Sequence, residues 1–175
     1  MIPARRDFDS FALALGPEVV LLDEDLMIDG VTLQSLKTIP LARFSQGPGW
    51  YFQQLLKYQF AFHEPEDDYF LIWDADTIPL RKLEFFDGQG RMLLTKAEEY
   101  HPPYFQTYEK ILGQPARREF SFIAQHMVVQ KSILREMLGD IERHCPGTEN
   151  WVSKIMRNLG GEGSNRFSEY ESWGA

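Results

Sequence analysis

The 175-residue chain is 43% hydrophobic, enough to bury the core of one globular domain, and we expect residues 1–175 to form a single domain. A formal net charge of -8, with acidic residues spread along the chain, excludes a basic surface for nucleic acid. The single cysteine, Cys145, and the lack of an apolar run of membrane-spanning length predict a cytoplasmic protein without a transmembrane segment, at most peripheral at a membrane.

Short apolar runs alternate with longer amphipathic runs, a pattern typical of an α/β fold. The predicted strands are residues 19–22, 69–73 and 92–94, and the apolar segment 127–129 leads into a helix. The predicted helices are residues 50–62, 131–143 and 151–159, with a loop or short helix at 102–112. The unbroken apolar character of residues 69–73 predicts a central strand buried on both faces. Together these elements predict a mostly parallel sheet flanked by helices.

The motif Asp74-Ala75-Asp76 directly follows the predicted strand 69–73, where an open α/β sheet places its ligands. Residues i and i+2 of an extended segment point to the same side, so both carboxylates can converge on one hard cation. Mg²⁺ or Mn²⁺ held there would stabilise the charge on a departing nucleoside diphosphate. The alternative interpretation is that the aspartates only end the strand and cap the turn before Pro79.

The same motif also fits a phosphohydrolase of the haloacid-dehalogenase type, with Asp74 as nucleophile and Asp76 as acid/base. Residues 93–95 would then imitate that family's second motif, and Lys131 would supply its lysine. The acidic pair that completes the magnesium site is missing, because the only later aspartates lie far apart in the sequence. Phosphohydrolase chemistry is therefore the second hypothesis.

Five stretches carry a resemblance to a known family, among them the Asp-Ala-Asp region, Tyr-His-Pro-Pro-Tyr-Phe and Ser-Glu-Tyr-Glu. They are residues 49–57, 69–81, 100–105, 121–127 and 168–171. In these stretches the chain resembles an uncharacterised bacterial family of GT-A-type glycosyltransferases, which occur mostly near surface-polysaccharide genes. The resemblance implies a GT-A-like, Rossmann-like fold. It also implies a metal-dependent enzyme that moves a sugar from a nucleotide-diphosphate donor to the hydroxyl of a glycan or lipid-linked acceptor.

Both ends of the chain depart from that family. Its members usually begin with one more strand, ahead of the predicted strand 19–22, and the loop after it holds the nucleotide base. They also continue past the Ser-Glu-Tyr-Glu segment. We therefore expect a chain truncated at both ends relative to the family. A third hypothesis is a non-catalytic GT-A remnant that acts as a binding module.

The predicted helix 50–62 offers three candidates for binding the donor. Gln53 and Lys57 are four residues apart and share a helix face. The resemblance implies that Lys57 contacts the diphosphate of the donor. The alternative is that Lys57 is an ordinary surface lysine. Trp50 can stack on a ring of the donor or staple the start of the helix.

Aromatic and histidine side chains supply further candidates. Tyr100, His101 and Tyr104 belong to a segment that would rise near the site, where aromatic rings can stack on the sugar of the acceptor; an ordinary surface loop is equally compatible. His126 opens an apolar segment and is either a third metal ligand or a buried histidine bonded to a backbone carbonyl.

The last residues combine aromatic rings with two carboxylates. Glu169 and Glu171 alternate along the chain, so in an extended segment they face the same side. Either carboxylate could deprotonate the acceptor hydroxyl in an inverting transfer, and the resemblance favours Glu169. The alternative is a disordered acidic tail.

Overall fold

The computed structural model describes residues 2–39, 46–63, 67–160 and 165–175, and its secondary structure is mainly helical. The α-helices are α1 (Phe8–Ala14), α2 (Leu33–Leu36), α3 (Pro48–Gln59), α4 (Pro102–Leu112), α5 (Lys131–His144), α6 (Trp151–Asn158) and α7 (Glu169–Gly174). Strands β1 (Tyr69–Trp73) and β2 (His126–Gln130) form the sheet, and short 3₁₀ turns span Arg5–Asp7, Glu24–Leu26 and Phe60–Phe62. The predicted helices near 50–62, 131–143 and 151–159 are confirmed with small shifts of their ends, and 102–112 is a helix.

Helix α3 supplies a large part of the buried core. It begins after Gly47 with Pro48 in its first turn, where the missing N–H of proline costs nothing. One broad face of the helix is buried, and it carries Tyr51, Phe52, Gln54, Leu55, Leu56 and Tyr58. Lys57 is only partly buried at the margin of this face, so its stem packs on apolar surface while its ammonium group reaches polar partners.

Helices α2 and α7 pack against α3, and a second group of helices packs around α5. Helix α5 buries Leu134, Leu138 and Ile141 and contacts both α4 and α6. These three residues recur at helical spacing, as the buried face of an amphipathic helix requires. The short helix α7 contacts α3 and α4, and Phe167 just before it is fully buried. The C-terminal segment is therefore part of the core, contrary to the alternative of a disordered acidic tail.

The expected mostly parallel, Rossmann-like sheet is wrong. About 44% of the structure is helical, and the sheet within the described residues has two strands that run antiparallel. The pairing extends from Tyr69 opposite Gln130 to Trp73 opposite His126. The central-strand prediction for β1 is also wrong, since Tyr69 and Leu71 are each 42% exposed.

Two of the predicted strands do not form. Residues 19–22 adopt no strand, and Val20 is mostly exposed there. In the 92–94 run, Met92 makes a single bridge with Phe86. The physical reason is that a run of four or five apolar residues specifies neither strand nor strand direction. The chain leaves β1 at Asp74 and enters β2 from Gln125 at the same end of the sheet, which makes the pair antiparallel.

Among the helices of the described residues, none combines the length and apolar character needed to cross a bilayer.

Candidate functional site

Asp74 has a fixed backbone position at the end of β1. Its N–H donates to the carbonyl of Gln125 at 2.9 Å, which continues the ladder beyond the strand. Its carbonyl accepts from the N–H of Thr77 at 3.1 Å and from the Thr77 hydroxyl at 2.7 Å. The backbone of Asp74 therefore closes the turn, and the turn does not use its carboxylate.

Lys57 connects that carboxylate to the C-terminal helix. Its Nζ donates to Asp74 Oδ1 at 2.9 Å and to Glu169 Oε1 at 2.6 Å. The Tyr170 hydroxyl donates to the same Asp74 oxygen at 3.1 Å. The side chains of Lys57, Asp74 and Glu169 are 17%, 27% and 5% exposed. A half-buried ammonium thus joins two carboxylates that lie far apart in the sequence.

Burial and charge oppose each other within this network. Burial favours neutral Lys57, but the charge of Glu169 and hydrogen bonds to Glu169 and Asp74 outweigh it and raise the pKa of Lys57. Burial raises the pKa of Glu169 and the charge of Asp74 adds to the rise, although Lys57 opposes both. Burial and the two carboxylates also raise the pKa of Tyr170. Lys57 is therefore cationic at neutral pH, and Glu169 is a stronger proton acceptor than an ordinary glutamate.

Helix α7 is held in place by polar contacts to α3. Gln54 on α3 accepts from the N–H of Glu169 at 2.9 Å, and the Tyr58 hydroxyl donates to the Glu169 carbonyl at 2.7 Å. Ser168 caps the helix by accepting from the N–H of Glu171 at 3.3 Å. Both polar groups of the Glu169 backbone are thus bonded to α3, and its side chain is directed to Lys57.

Glu169 and Glu171 do not face the same side, as the expected extended segment would require. Their segment is helical, and residues two apart on a helix point about 200° apart. Glu171 accepts instead from the Ser121 hydroxyl at 2.7 Å and from the N–H of Phe122 at 3.4 Å. It is buried there, outside the lining of the cavity that Glu169 reaches.

An open cavity of about 490 Å³ brings the chemical groups together. Seven of the residues singled out from the sequence line it: Trp50, Gln53, Lys57, Asp74, Asp76, Tyr104 and Glu169. Asp74 is half-buried at its base and Asp76 is exposed. The structure therefore gathers the Asp-Ala-Asp motif, the α3 candidates and one of the two glutamates at one surface.

Sequence reasoning missed four polar residues of this cavity, namely Glu99, Gln125, Ser168 and Tyr170. Tyr170 lies between the two glutamates that the sequence singled out, but extended geometry would turn it away from them. Gln125 directly precedes β2, so antiparallel pairing of β2 with β1 was the signal that could have placed it beside Asp74.

The three predicted acceptor residues divide between the cavity and its surroundings. Tyr104 lines the cavity, and burial together with the charge of Glu99 raises its pKa to about 12. His101 lies behind it, donating from Nε2 to the Asn165 carbonyl at 2.9 Å. Tyr100 is mostly exposed, with its ring 5.3 Å from that of Phe105. Tyr104 is thus the one of the three placed to touch a ligand in this cavity.

His126 contacts Trp73 and Thr95 and none of the residues of this network. Its ring stacks on the Trp73 indole with centroids 5.3 Å apart, and its Nε2 is 3.4 Å from the Thr95 hydroxyl. It does not line the cavity. Within the described ranges, no three histidine, cysteine, aspartate or glutamate side chains are grouped to hold a metal ion.

Asp74 and Asp76 nevertheless suit a cation that shares its coordination with a ligand. Mg²⁺ is commonly bound by one or two carboxylates together with substrate phosphates and water, so three protein ligands are not required. Both aspartates line the same open cavity, and Asp74 uses only Oδ1 in its contacts with Lys57 and Tyr170. The donor set therefore fits a cation that a phosphorylated ligand brings with it.

Lys131, the lysine of the phosphohydrolase hypothesis, lies away from Asp74. It follows β2 and its N–H donates to the carbonyl of Asp68, just before β1 begins. Its ammonium group donates to the carbonyl of His63 at 2.9 Å. Since Asp74 follows the opposite end of β1, Lys131 is separated from the predicted nucleophile by the length of the strand.

Comparison with known proteins identifies a family for the chain. No curated protein and no solved structure matches the sequence. A family model matches residues 6–173, nearly the whole chain, including both aspartates, Lys57 and Glu169. The chain belongs to the family of unknown function DUF6492.

Proposed function

We propose that this protein is a metal-dependent glycosyltransferase, which moves a sugar from a nucleotide-diphosphate donor to the hydroxyl of a glycan or lipid-linked acceptor. One observation carries the proposal: Asp74 and Asp76 share a cavity of about 490 Å³ with Lys57 and Glu169. A volume of a few hundred Å³ with a few convergent polar groups is usual for a small-molecule site. The proposal rests on this site and not on a fold, since one fold serves many functions.

The charges of the cavity favour a cation together with a diphosphate over a diphosphate alone. Four carboxylates line it, from Asp74, Asp76, Glu99 and Glu169, against the single ammonium of Lys57. A diphosphate by itself would meet a net negative surface. A divalent cation held by Asp74 and Asp76 would offset the charges of those two carboxylates and supply the charge stabilisation that a departing diphosphate needs.

The protein's own groups have distinct roles in this proposal. Lys57 is held by Glu169 and Asp74, and its positive charge stabilises the negative charge of the departing phosphate. Glu169 accepts the proton of the acceptor hydroxyl, a role that its raised pKa suits. The hydroxyl oxygen bonds to the anomeric carbon while the bond from that carbon to the diphosphate oxygen breaks. The diphosphate leaves with the electrons of that bond.

The remaining lining suits a sugar. Trp50 and Tyr104 offer aromatic faces, which sugars contact through their apolar C–H surfaces, and both line the cavity. Gln53 and Gln125 supply amide groups that can both donate and accept hydrogen bonds. This mixture of rings and amides supports a polyhydroxylated ligand in preference to a purely apolar one.

A thermal-shift screen with nucleoside diphosphates and nucleotide-sugars, each with and without Mn²⁺, tests the proposal. A ligand at about one hundred times its dissociation constant stabilises the native state by about 2.7 kcal/mol and raises the melting temperature. We expect a Mn²⁺-dependent rise for one nucleotide with the wild type. The rise should disappear in Asp76→Asn and persist in the matched control Asp29→Asn, which alters an exposed aspartate outside the cavity.

Each other outcome has a definite meaning. If no nucleotide shifts a cooperatively melting wild type, transfer from a nucleotide-sugar is wrong. Binding without release of nucleoside diphosphate in the presence of glycan acceptors would identify a binding module. Trapping of a beryllium fluoride adduct on Asp74 would establish the phosphohydrolase in place of the transferase.

A further inference from the structure

Strand β1 has one edge that bonds to β2 and one edge that does not. Just beyond one end of the strand, the Asp74 N–H donates to the Gln125 carbonyl. Just before the other end, the Asp68 carbonyl accepts from the Lys131 N–H. Residue pairs that exchange hydrogen bonds alternate with pairs that do not in an antiparallel ladder, so the odd-numbered residues of β1 direct their N–H and C=O groups away from β2. These residues are Tyr69, Leu71 and Trp73.

The outer edge of β2 is covered, but the outer edge of β1 is open. Val128 lies opposite Leu71, and its outward carbonyl accepts from the Trp173 indole at 3.1 Å. Among the described residues, none bonds to the outward N–H or C=O group of Leu71. The strand also lacks charge and proline, the side-chain features that commonly protect an open edge from pairing. The sheet therefore ends in an edge that can accept another strand.

A groove of about 550 Å³ lies along this free edge. Its lining includes every residue from 70 to 75. Since successive residues of a strand point to opposite faces, the groove follows the edge of the sheet and not one of its faces. Further apolar lining comes from α3 and from the N-terminal region, namely Leu56, Phe60, Ile2 and Leu22. The groove therefore combines an open strand edge with apolar side chains.

The open backbone groups favour a peptide over a lipid or another apolar molecule in this groove. A hydrocarbon would exclude water from the N–H and C=O groups of Leu71 and offer them no hydrogen bond, which is costly. An extended peptide satisfies both groups and also presents side chains to the apolar lining. The groove is therefore suited to a strand.

Charge and shape argue against β1 of a second copy as that strand. If two copies paired antiparallel around Leu71, Asp68 of each would lie opposite Asp74 of the other. Like charges directly opposite each other destabilise a strand pair. Each copy would also bring its own groove lining, including Ile2 and Leu22, so two recessed edges would have to meet. A single extended segment meets neither obstacle.

We propose that the free edge of β1 binds one extended segment of a partner protein, which becomes the third strand of the sheet. The backbone of this segment bonds to the outward groups of Leu71. Its side chains at alternate positions are apolar and pack against Leu56 and Phe60. Main-chain hydrogen bonds supply affinity in this mode of recognition, and the alternate side chains supply specificity.

This inference goes beyond the proposed function and does not depend on it, because neither metal nor nucleotide takes part. The groove shares Gln53, Lys57 and Asp74 with the candidate cavity. A bound segment would therefore border the cavity. Failure of the protein to bind any nucleotide would leave the test of the groove unaffected.

Amide hydrogen exchange, followed by NMR at single residues, tests whether the edge is open. In the free protein the Leu71 amide should exchange quickly, while the amides of Phe70 and Ile72 should be protected by their bonds to β2. The probe ligand is a capped peptide in which equal numbers of valine and threonine alternate between two terminal lysines. When this peptide is added, exchange at Leu71 should slow, while exchange at the exposed Leu80, outside the groove, should stay fast.

Two N-methylated forms of the peptide separate backbone pairing from apolar contact. One form carries methyl groups on the valine amides and the other on the threonine amides, so the two forms have the same charge and nearly the same apolar area. In a paired strand, only alternate amides face the neighbouring strand. One form should therefore lose binding and the other retain it, as measured by fluorescence anisotropy.

On the protein, Leu71→Pro removes the outward N–H, and proline is tolerated at an edge position whose N–H makes no bond within the sheet. Binding of the unmethylated peptide should weaken about tenfold, because a peptide carbonyl is left without its donor. Leu71→Ala is the matched control, since it keeps the N–H and should retain most of the binding. Melting temperatures show whether either variant is misfolded, and the methylated peptides decide the question without any change to the protein.

Three results would overturn the proposal: no binding of the unmethylated peptide, equal binding of the two methylated forms, or a Leu71 amide that is already protected in the free protein. Sedimentation equilibrium adds a fourth. A dimer of the wild type that is lost in Leu71→Pro would assign the edge to a second copy.

Discussion

The candidate cavity has two unlike walls. The buried wall comes from helices α3 and α7, where Lys57, Glu169 and Tyr170 bond to one another and to Asp74. The open wall comes from residues 75–99, where Asp76 and Glu99 are exposed. Within the described ranges, the Asp76 side chain has no hydrogen-bond or ion-pair partner.

This difference separates two kinds of polar group at one site. Each charged group of the buried wall needs its partner, because an unpaired charge out of water is costly. A carboxylate of the open wall contributes little to folding, so its placement at the cavity is better explained by what it binds. Substitutions in the buried wall should therefore lower stability more than ligand binding. Substitutions in the open wall should lower ligand binding more than stability.

The largest effect on stability is expected from Lys57→Met. This change removes the ammonium that separates Asp74 from Glu169 and leaves a buried carboxylate without its partner. The free energy of unfolding should fall by about 3 kcal/mol, as for other broken buried ion pairs. Urea unfolding measures the change. Lys37→Met, at an exposed lysine, is the control and should be nearly neutral.

The loss of unfolding free energy in Lys57→Met should become smaller as the pH is lowered. Burial already raises the pKa of Glu169 above its ordinary value of 4.5, and loss of Lys57 removes the group that opposes the rise. A raised folded-state pKa means that stability is lost as the pH rises from the unfolded pKa through the folded one. The loss of stability should therefore be smallest at and below about pH 4.5, where Glu169 is protonated in both states, and Glu169→Gln in the same background should relieve much of it. A deficit that is independent of pH would show that lost packing, and not charge, causes it.

A smaller effect is expected from Glu171→Gln. The carboxylate accepts two hydrogen bonds from the Ser121–Phe122 segment, and glutamine can replace only one of its oxygens. The free energy of unfolding should fall by about 1 kcal/mol. Nucleotide binding should be unaffected, because Glu171 lies outside the cavity lining. If the variant lost nucleotide binding while its free energy of unfolding stayed unchanged, Glu171 would belong to the binding site after all.

The residues that line the candidate cavity were more predictable from the sequence than the fold that brings them together. Lys57 was singled out by the family resemblance and Asp74 by its place after the apolar run 69–73, and a helix and a strand form close to the predicted positions. Local patterns do not specify which strands pair or in which direction, so the parallel sheet was wrong. The antiparallel return to β2 depends on residues between 74 and 125, most of which lie outside helices and strands apart from α4.

In the C-terminal segment, too, the local sequence pattern did not predict where individual side chains point. Glu169 and Glu171 look equivalent in the sequence, being two residues apart around a tyrosine. A short helix, capped by Ser168, directs one to Lys57 and the other to Ser121. Six residues without a long amphipathic pattern do not reveal that helix, because so short a helix depends on contacts with α3 and α4.

The smallest effect on stability is expected from Asp76→Asn in the open wall. An exposed carboxylate without a partner among the described residues should change the free energy of unfolding by no more than about 0.5 kcal/mol. Urea unfolding in the presence of EDTA measures this change, and repeating it with Mn²⁺ and the bound nucleotide should separate the variant from the wild type. A large loss of stability in EDTA would show that Asp76 supports the fold, and the contrast between the two walls would then fail. Equal stability in EDTA and unequal stability with the ligand would assign Asp76 to binding, because a group that contacts only the ligand stabilises only the bound state.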